Sequence, residues 1–248
     1  MLTLAQAQHL RDRFRPERPG PLVGVHVLNT GYGACFVDRW PDPRAILADV
    51  AGNQSLLGDS AALSDHDLTS HVRGFVDAPD DFVPRLRAVF PELILWERVI
   101  YRLPGSPMVA HSGGAGVRRL TIADAAPVAS LSADLLWIAR SWGGPAGLAA
   151  SGYACGAFID GRLASVACSF FVGDRYEDIG VVTEPAYRRR GLSAAAAGLL
   201  CREVQARGRV PSWTTSTDNV ASRGVAERLG FLVASAGRLY VIGVPLPS

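Results

Sequence analysis

The sequence predicts a mixed α/β (α+β) chain, with a mostly antiparallel sheet flanked by helices in its second half and a smaller α/β N-terminal domain before it. Three observations predict this. Strand-length apolar runs alternate with helical periodicities, a stretch without periodicity interrupts them, and 48% hydrophobic residues in 248 suffice for one large core or two modest ones. The expected organisation is an N-terminal domain over residues 1–104 forming one wall of a substrate cleft, a linker over 105–116, and a second domain over 117–248.

The N-terminal MLTLAQAQHLRDRF spaces Leu2, Leu10 and Phe14 among polar residues, which reads as a short surface helix and not a signal peptide. Residues 22–28 and 34–37 read as strands, 65–75 and 84–90 as helices, and 93–103 as a further strand. Gly31 and Gly33 suggest a hairpin turn. The glycines and prolines of 104–117, including Gly113, Gly114 and Gly116, have no βαβ frame around them and read as linker.

In the second half, 121–131 and 134–141 carry helix signals, the latter with Asp134 as N-cap. Residues 153–159 and 163–172 are strand-like around Asp160-Gly161, a hairpin signal, and 177–183 is a third strand. A helix follows Gly191 and stops near Gly208; 211–215 is a strand; 220–229 is a helix closed by Gly230; 231–234 and 239–244 finish the sheet. No internal repeat is visible.

All 25 basic residues are arginine, which removes chemistry built on a lysine amine, such as Schiff bases and Walker-type phosphate binding. The five histidines all lie within the first 111 residues, so a histidine-centred triad is not expected in the second half. Cys35, Cys155, Cys168 and Cys201 form no CxxC pair and have no histidine at ligand spacing, so no metal is expected and the thiols read as buried and free in a reducing cytoplasm. No apolar run reaches membrane-spanning length, so neither a membrane nor, from the charge pattern, a nucleic acid is an expected partner. The formal charge is −2 over residues 1–116 (11 Arg against 13 acids) and +4 beyond (14 against 10), which favours an anionic ligand on the second half. Oligomeric state is not readable.

The segment EPAYRRRGLSAAAAGLL, residues 184–200, carries the chemistry. Three arginines precede a helix whose first turns are small residues. Guanidinium groups at a helix N-terminus oppose the dipole unless an anion lies between them and the free amides. Gly191 lets such an anion approach the main chain. Arg188-x-x-Gly191-x-Ser193 resembles the acyl-CoA diphosphate loop of the GCN5-related N-acetyltransferase (GNAT) superfamily, and NVASRGVAERLGF, residues 219–231, resembles its second motif. Residues 212–231 are also similar to the zwittermicin-resistance-type acetyltransferases.

The resemblance covers about residues 117–242. It implies a GNAT domain, acetyl-CoA as co-substrate, and diphosphate binding by Arg188, Arg189, Arg190, Gly191, Leu192, Ser193 and Ala194. It further places main-chain groups of Val181 and Thr183, with Asn219, along the pantetheine arm. Where the superfamily often has a tyrosine as proton donor to the departing thiolate, this chain has Ala226, leaving Ser222 or water for that role.

The implied reaction is direct acetyl transfer to a primary amine of a small-molecule acceptor. Such an amine is neutral in about one molecule in 2500 at pH 7, so a base is expected. The candidates are the carboxylates on the strand before the arginines, Glu177 and Asp178; Glu177 shares a strand face with Val181 and Thr183 while Asp178 points the other way, so Glu177 is favoured. Asp80 and Asp81 are candidates for attracting a cationic acceptor. The competing expectation is a GNAT-fold acyl-CoA sensor or scaffold without catalysis.

Overall fold

A computed structural model describes residues 1–108 and 115–246, and these divide into two compact units. The first comprises Met1–Pro16, Val23–Arg98 and Ala236–Ser248; the second comprises Glu17–Leu22 and Val99–Ser235.

The first unit begins with α1 (Leu4–Gln8), capped by Thr3 in a reciprocal capping box with Gln6. The apolar run expected to be a strand is instead a helix, α2 (Val23–Thr30), buried from Val23 to Leu28. Its β-branched residues favour a strand locally, but packing an apolar helix into the core overrides that preference. β1 (Ala34–Val37) lies where expected, and Gly31 and Gly33 join it to α2, so they belong to a helix-to-strand connection and not a hairpin. At Gly33 (φ +104°), a Cβ would stand 2.4 Å from the Asp49 carbonyl oxygen.

Then come β2 (Ala45–Val50), β3 (Asn53–Gly58), α3 (Asp65–His71), β4 (Gly74–Asp77), α4 (Val83–Val89) and β5 (Ile94–Arg102). The strands β2, β3 and β4 were not expected, and the helix over 65–75 ends at His71 because Gly74 to Asp77 enter the sheet.

The second unit carries β6 (Gly116–Arg119), α5 (Ala125–Ala129), a 3₁₀ segment (Ala133–Trp142), α6 (Pro145–Ala150), β7 (Ala154–Ile159), β8 (Arg162–Val172), β9 (Tyr176–Thr183), α7 (Leu192–Ala206), β10 (Val210–Ser216), α8 (Val220–Arg228) and β11 (Leu232–Ile242), the last shared with the first unit. Gly116, expected to end the linker, is the first residue of β6; Gly113 and Gly114 lie outside the described residues. Asp134 is not the N-cap of its segment. That position is Ser132, whose N–H and hydroxyl bond to Glu184 at 2.7 and 2.6 Å. Asp160 and Gly161 both take positive φ, as the β7–β8 hairpin requires. The two terminal strands expected at 231–234 and 239–244 are one continuous strand, β11.

Strand order is β1-β2-β3-β4-β11 in the first unit and β5-β10-β9-β8-β7-β6 in the second. β1–β2, β2–β3, β4–β11, β6–β7, β7–β8 and β8–β9 pair antiparallel, whereas β3–β4 and β9–β10 pair parallel. Both units therefore repeat one run: three strands, a helix, a strand parallel to the third, a helix and a strand. The division falls inside β5 and β11: within the first unit residues 236–242 of β11 pair with β4 through Tyr240↔Val76, and within the second residues 99–102 of β5 lie beside β10, where Leu103 N–H bonds to Pro211 O at 3.0 Å.

In the second unit one core lies between the sheet and α7 and α8, around Leu192, Leu200, Val204, Trp213 and Phe231. Another lies against α5, α6 and the 3₁₀ segment, around Val128, Ile138, Trp142, Leu148 and Val166. A partly buried ion pair joins β6 to the helical face: Arg118 bonds both Asp124 oxygens at 2.7 and 2.6 Å, and Asp124 also accepts Thr121 N–H at 2.8 Å.

That guanidinium holds the Asp124 carboxyl down at about 2. Because the folded value lies below the unfolded one, its contribution is fully present above about pH 4 and is lost as pH falls through about 2. With Arg118 half exposed, Asp124→Asn should cost about 1–2 kcal/mol at pH 7, and denaturant titration should show the difference from the parent closing below pH 2.

Candidate active site

β9 and β10 share only three register pairs, Val210↔Tyr176, Pro211↔Glu177 and Ser212↔Asp178, although they run on to Thr183 and Ser216. Beyond Asp178 and Ser212 the two parallel strands diverge. The edge of β9 that faces β10 from Ile179 to Thr183 is left with main-chain groups that need partners, while its other edge stays paired with β8. Val181 and Thr183 are half-buried on this open stretch, and the Thr183 hydroxyl lies 2.8 Å from that of Ser165.

At the end of β9 the chain makes a 3₁₀ turn (Pro185–Tyr187) and enters α7 through Arg188, Arg189, Arg190 and Gly191. Arg189 (φ +60°) and Gly191 (φ +77°) both adopt left-handed backbone, turning the chain sharply into the helix. Gly191 is the N-cap and offers no side-chain acceptor. The first helical bond at this end is Ala195 N–H to Gly191 O, so the amides of residues 189–194 have no acceptor among the described residues.

Six consecutive N–H groups at the positive end of a 15-residue helix form an anion cradle. Leu192 and Ala194 are buried beneath it, whereas Gly191 and Ser193 are partly open. Arg188 is steered by a 3.3 Å bond from Nε to the Thr183 carbonyl, and the Arg190 guanidinium lies 5.7 Å from the Tyr187 ring centroid. All three arginines, Arg188, Arg189 and Arg190, are exposed, next in sequence to the cradle.

Across the divergence stands the N-terminus of α8. Asn219 caps it as expected, its side chain accepting Ser222 N–H at 2.9 Å. The Ser222 hydroxyl oxygen accepts the indole N–H of Trp213 at 2.9 Å and has no acceptor for its own hydrogen among the described residues. Trp213 is the first β10 residue past the last register pair; it is buried and packs edge-on to Phe231. Ala226 is fully buried in the same core.

Glu177 does not join this assembly. It sits at the opposite end of β9, fully buried, with both oxygens engaged: Arg207 donates to them at 2.9 and 2.7 Å, Arg209 at 3.1 Å, and the Ser169 hydroxyl bonds one of them closely. No face of the carboxylate is left for an amine, so the expectation that it serves as base is corrected here: Glu177 pins the start of β9 to the end of α7. In the sequence only the arginines of RGR at 207–209 hint at its partners. Trp213 reads from the sequence as packing alone, an apolar residue on the core face of a strand.

In the first unit Asp80 is exposed and paired closely with Arg238. Burial pushes the Cys35 thiol up to about 11 and Cys155 to about 12, with Cys168 and Cys201 raised further, so none is a nucleophile at neutral pH. Among the described residues no group of three or more His, Cys, Asp or Glu is placed to hold a metal ion, and no helix is long and apolar enough to cross a membrane.

The family model described as GNAT acetyltransferase matches residues 119–240. A curated relative from Streptomyces virginiae, named an uncharacterized N-acetyltransferase in the mutA 5′ region, is 42% identical over 198 residues, covering 78% of this chain and 83% of the relative. The crystal structure of a GCN5-related N-acetyltransferase-like protein from Streptococcus suis superposes with a TM-score of 0.70 at 17% identity, covering 97% of this chain and 100% of that one. A tandem GNAT protein from the clavulanic acid biosynthesis pathway matches with a TM-score of 0.56 at 15% identity, covering 98% and 96%. At these identities the two structures speak for the fold.

Removing the carboxylate from the Arg207–Arg209 pair would strand two partly buried cations. Glu177→Gln should therefore lower stability by about 3 kcal/mol, read as an earlier urea midpoint at unchanged slope.

Proposed function

The chain belongs to the GNAT acetyltransferase family, and from that premise we propose that it moves an acetyl group from acetyl-CoA directly to a primary amine of a small-molecule acceptor. What carries the reading is the divergence of β9 from β10 leading straight into a helix end with six unpaired amides. A diphosphate suits the amides of Arg189 to Ala194 with the guanidinium groups of Arg188 and Arg190. An amide-bearing pantetheine suits the open edge at Val181 and Thr183, and Asn219 flanks it.

The residues divide the work accordingly. Val181 and Thr183 hold the thioester by main-chain bonds, fixing its carbonyl carbon in the divergence. The acceptor, having lost its ammonium proton to water, enters as the neutral amine; its nitrogen lone pair bonds to that carbon and the carbon–sulfur bond breaks. Ser222, one lone pair occupied by the Trp213 indole, offers its hydroxyl hydrogen to the departing sulfur. The second proton on the new amide nitrogen passes to water, and the thiolate gains a proton through the Ser222 hydroxyl, which is replenished from water. Glu177 has no part in the transfer.

A second reading, an acyl-CoA sensor, draws on Ala226 standing where the superfamily often has a tyrosine. Thiol release from acetyl-CoA, followed across an amine panel, separates the two: an enzyme releases thiol with some amine, while a sensor is only stabilised, by about 2.7 kcal/mol at a hundredfold excess over the dissociation constant. Arg188→Ala should raise KM for acetyl-CoA about tenfold with little change in kcat. Ser222→Ala should lower kcat about tenfold while leaving that KM unchanged. If neither parameter moves in either variant, this site is wrongly assigned.

A further inference from the structure

The face of β9 opposite α7 carries a feature that neither cradle nor core explains. Residues 179 and 181 of this strand pack toward α7, so Gly180 faces the other way, toward the 3₁₀ segment Ala133–Trp142. Gly180 lies two residues past the last pair with β10, on the open stretch. A Cβ there would stand 2.9 Å from Ile138 Cδ1, 3.3 Å from Phe170 Cβ and 3.4 Å from the six-membered ring of Trp137. The missing side chain lets an indole rest directly on the opened strand.

Trp137 meets Phe170 edge to face, with ring centroids 5.5 Å apart at 62°. Yet the tryptophan stays 38% exposed, while Leu135, Ile138 and Ala139 beside it are buried. The exposed indole edge and the Phe170 ring beside it offer a ligand a flat apolar surface on the face of β9 opposite α7.

Resting on the function proposed above, we propose that Trp137 and Phe170 form the platform for the acceptor, and that the acceptor is a primary amine carried on an aromatic group that stacks there. The donor's diphosphate occupies the α7 face of β9, leaving the opposite face as the approach for the amine. Charge does not select on this platform. Asp134 and Arg140, each three residues from Trp137 and exposed, are of opposite sign, so a bare polyamine gains from one what it loses to the other. Flat apolar contact remains as the discriminating interaction.

The test uses the full chain with CoA present and two probes, 2-phenylethylamine and propylamine. Saturation-transfer NMR should show the aromatic amine in contact with the parent protein and lost from Trp137→Ala, with Trp137→Phe retaining most of the signal. In the thiol-release assay, kcat/KM should favour 2-phenylethylamine over propylamine by about tenfold or more. Trp137→Ala should erase that preference through KM for the amine, without changing KM for acetyl-CoA. Unchanged circular dichroism of both variants shows that folding is preserved. Equal transfer from parent and Trp137→Ala, transfer from neither amine, or an undiminished preference in Trp137→Ala would each overturn the proposal. Loss of thiol release alone, with the NMR contrast intact, would instead count against the transfer reaction and leave the aromatic platform standing.

Discussion

The parting of β9 from β10 is the constraint on which the second unit is organised. Two parallel strands that stop pairing while both continue leave polar main chain inside a protein, a cost that a packed domain tolerates only where something else satisfies it. The surrounding sequence serves that opening. Small residues begin α7 so that its amides stay reachable, Gly191 turns the chain, and Trp213 closes the floor on the α8 side. The three arginines gather at the one helix end where, without a guest, they would repel the dipole.

A divergence of this kind must be held from elsewhere, and the two ends of β9 are treated differently. At its start, Glu177 gathers Arg207 and Arg209, and Asp178 accepts the hydroxyls of Ser212 and Thr214 at 2.9 and 3.0 Å. These contacts tie β9, β10 and the end of α7 into one junction. Arg207 also stands at the C-terminal end of α7, where positive charge is favoured. At the far end Glu184 anchors the turn to Ser132, fixing the approach to the arginines from the helical face. The strand is clamped at both ends and open between them.

Much of the second unit was legible because its signals are local and agree with one another. Asp160-Gly161, Gly191, Asn219 and Gly230 each mark a turn or cap with its own backbone reason, and the helices and strands between them fall where periodicity puts them. The first unit was less legible. VGVHVLN is β-branched and continuous, features shared by a buried strand and a buried helix, and only its packing decides. β2, β3 and β4 contain Asp49, Gln54, Ser55 and Asp77, which broke the alternation a strand is recognised by. Glu177 shows a different limit. Strand alternation correctly placed it on the face toward α7, but burial and the two guanidinium partners arise from the ends of distant elements, which no local pattern reports. The repeated run of strands and helices was invisible for the same reason, since topology repeats here while residues do not.

The pairing of β4 with a strand so distant in sequence has a consequence for how the molecule is made. The partner that β4 needs, from Tyr240 to Ile242, follows it in the chain only after β5 to β10. The first unit therefore waits, with one sheet edge unfilled, while those strands are synthesised, and the usual order in which an early lobe matures before a late one is not available to it.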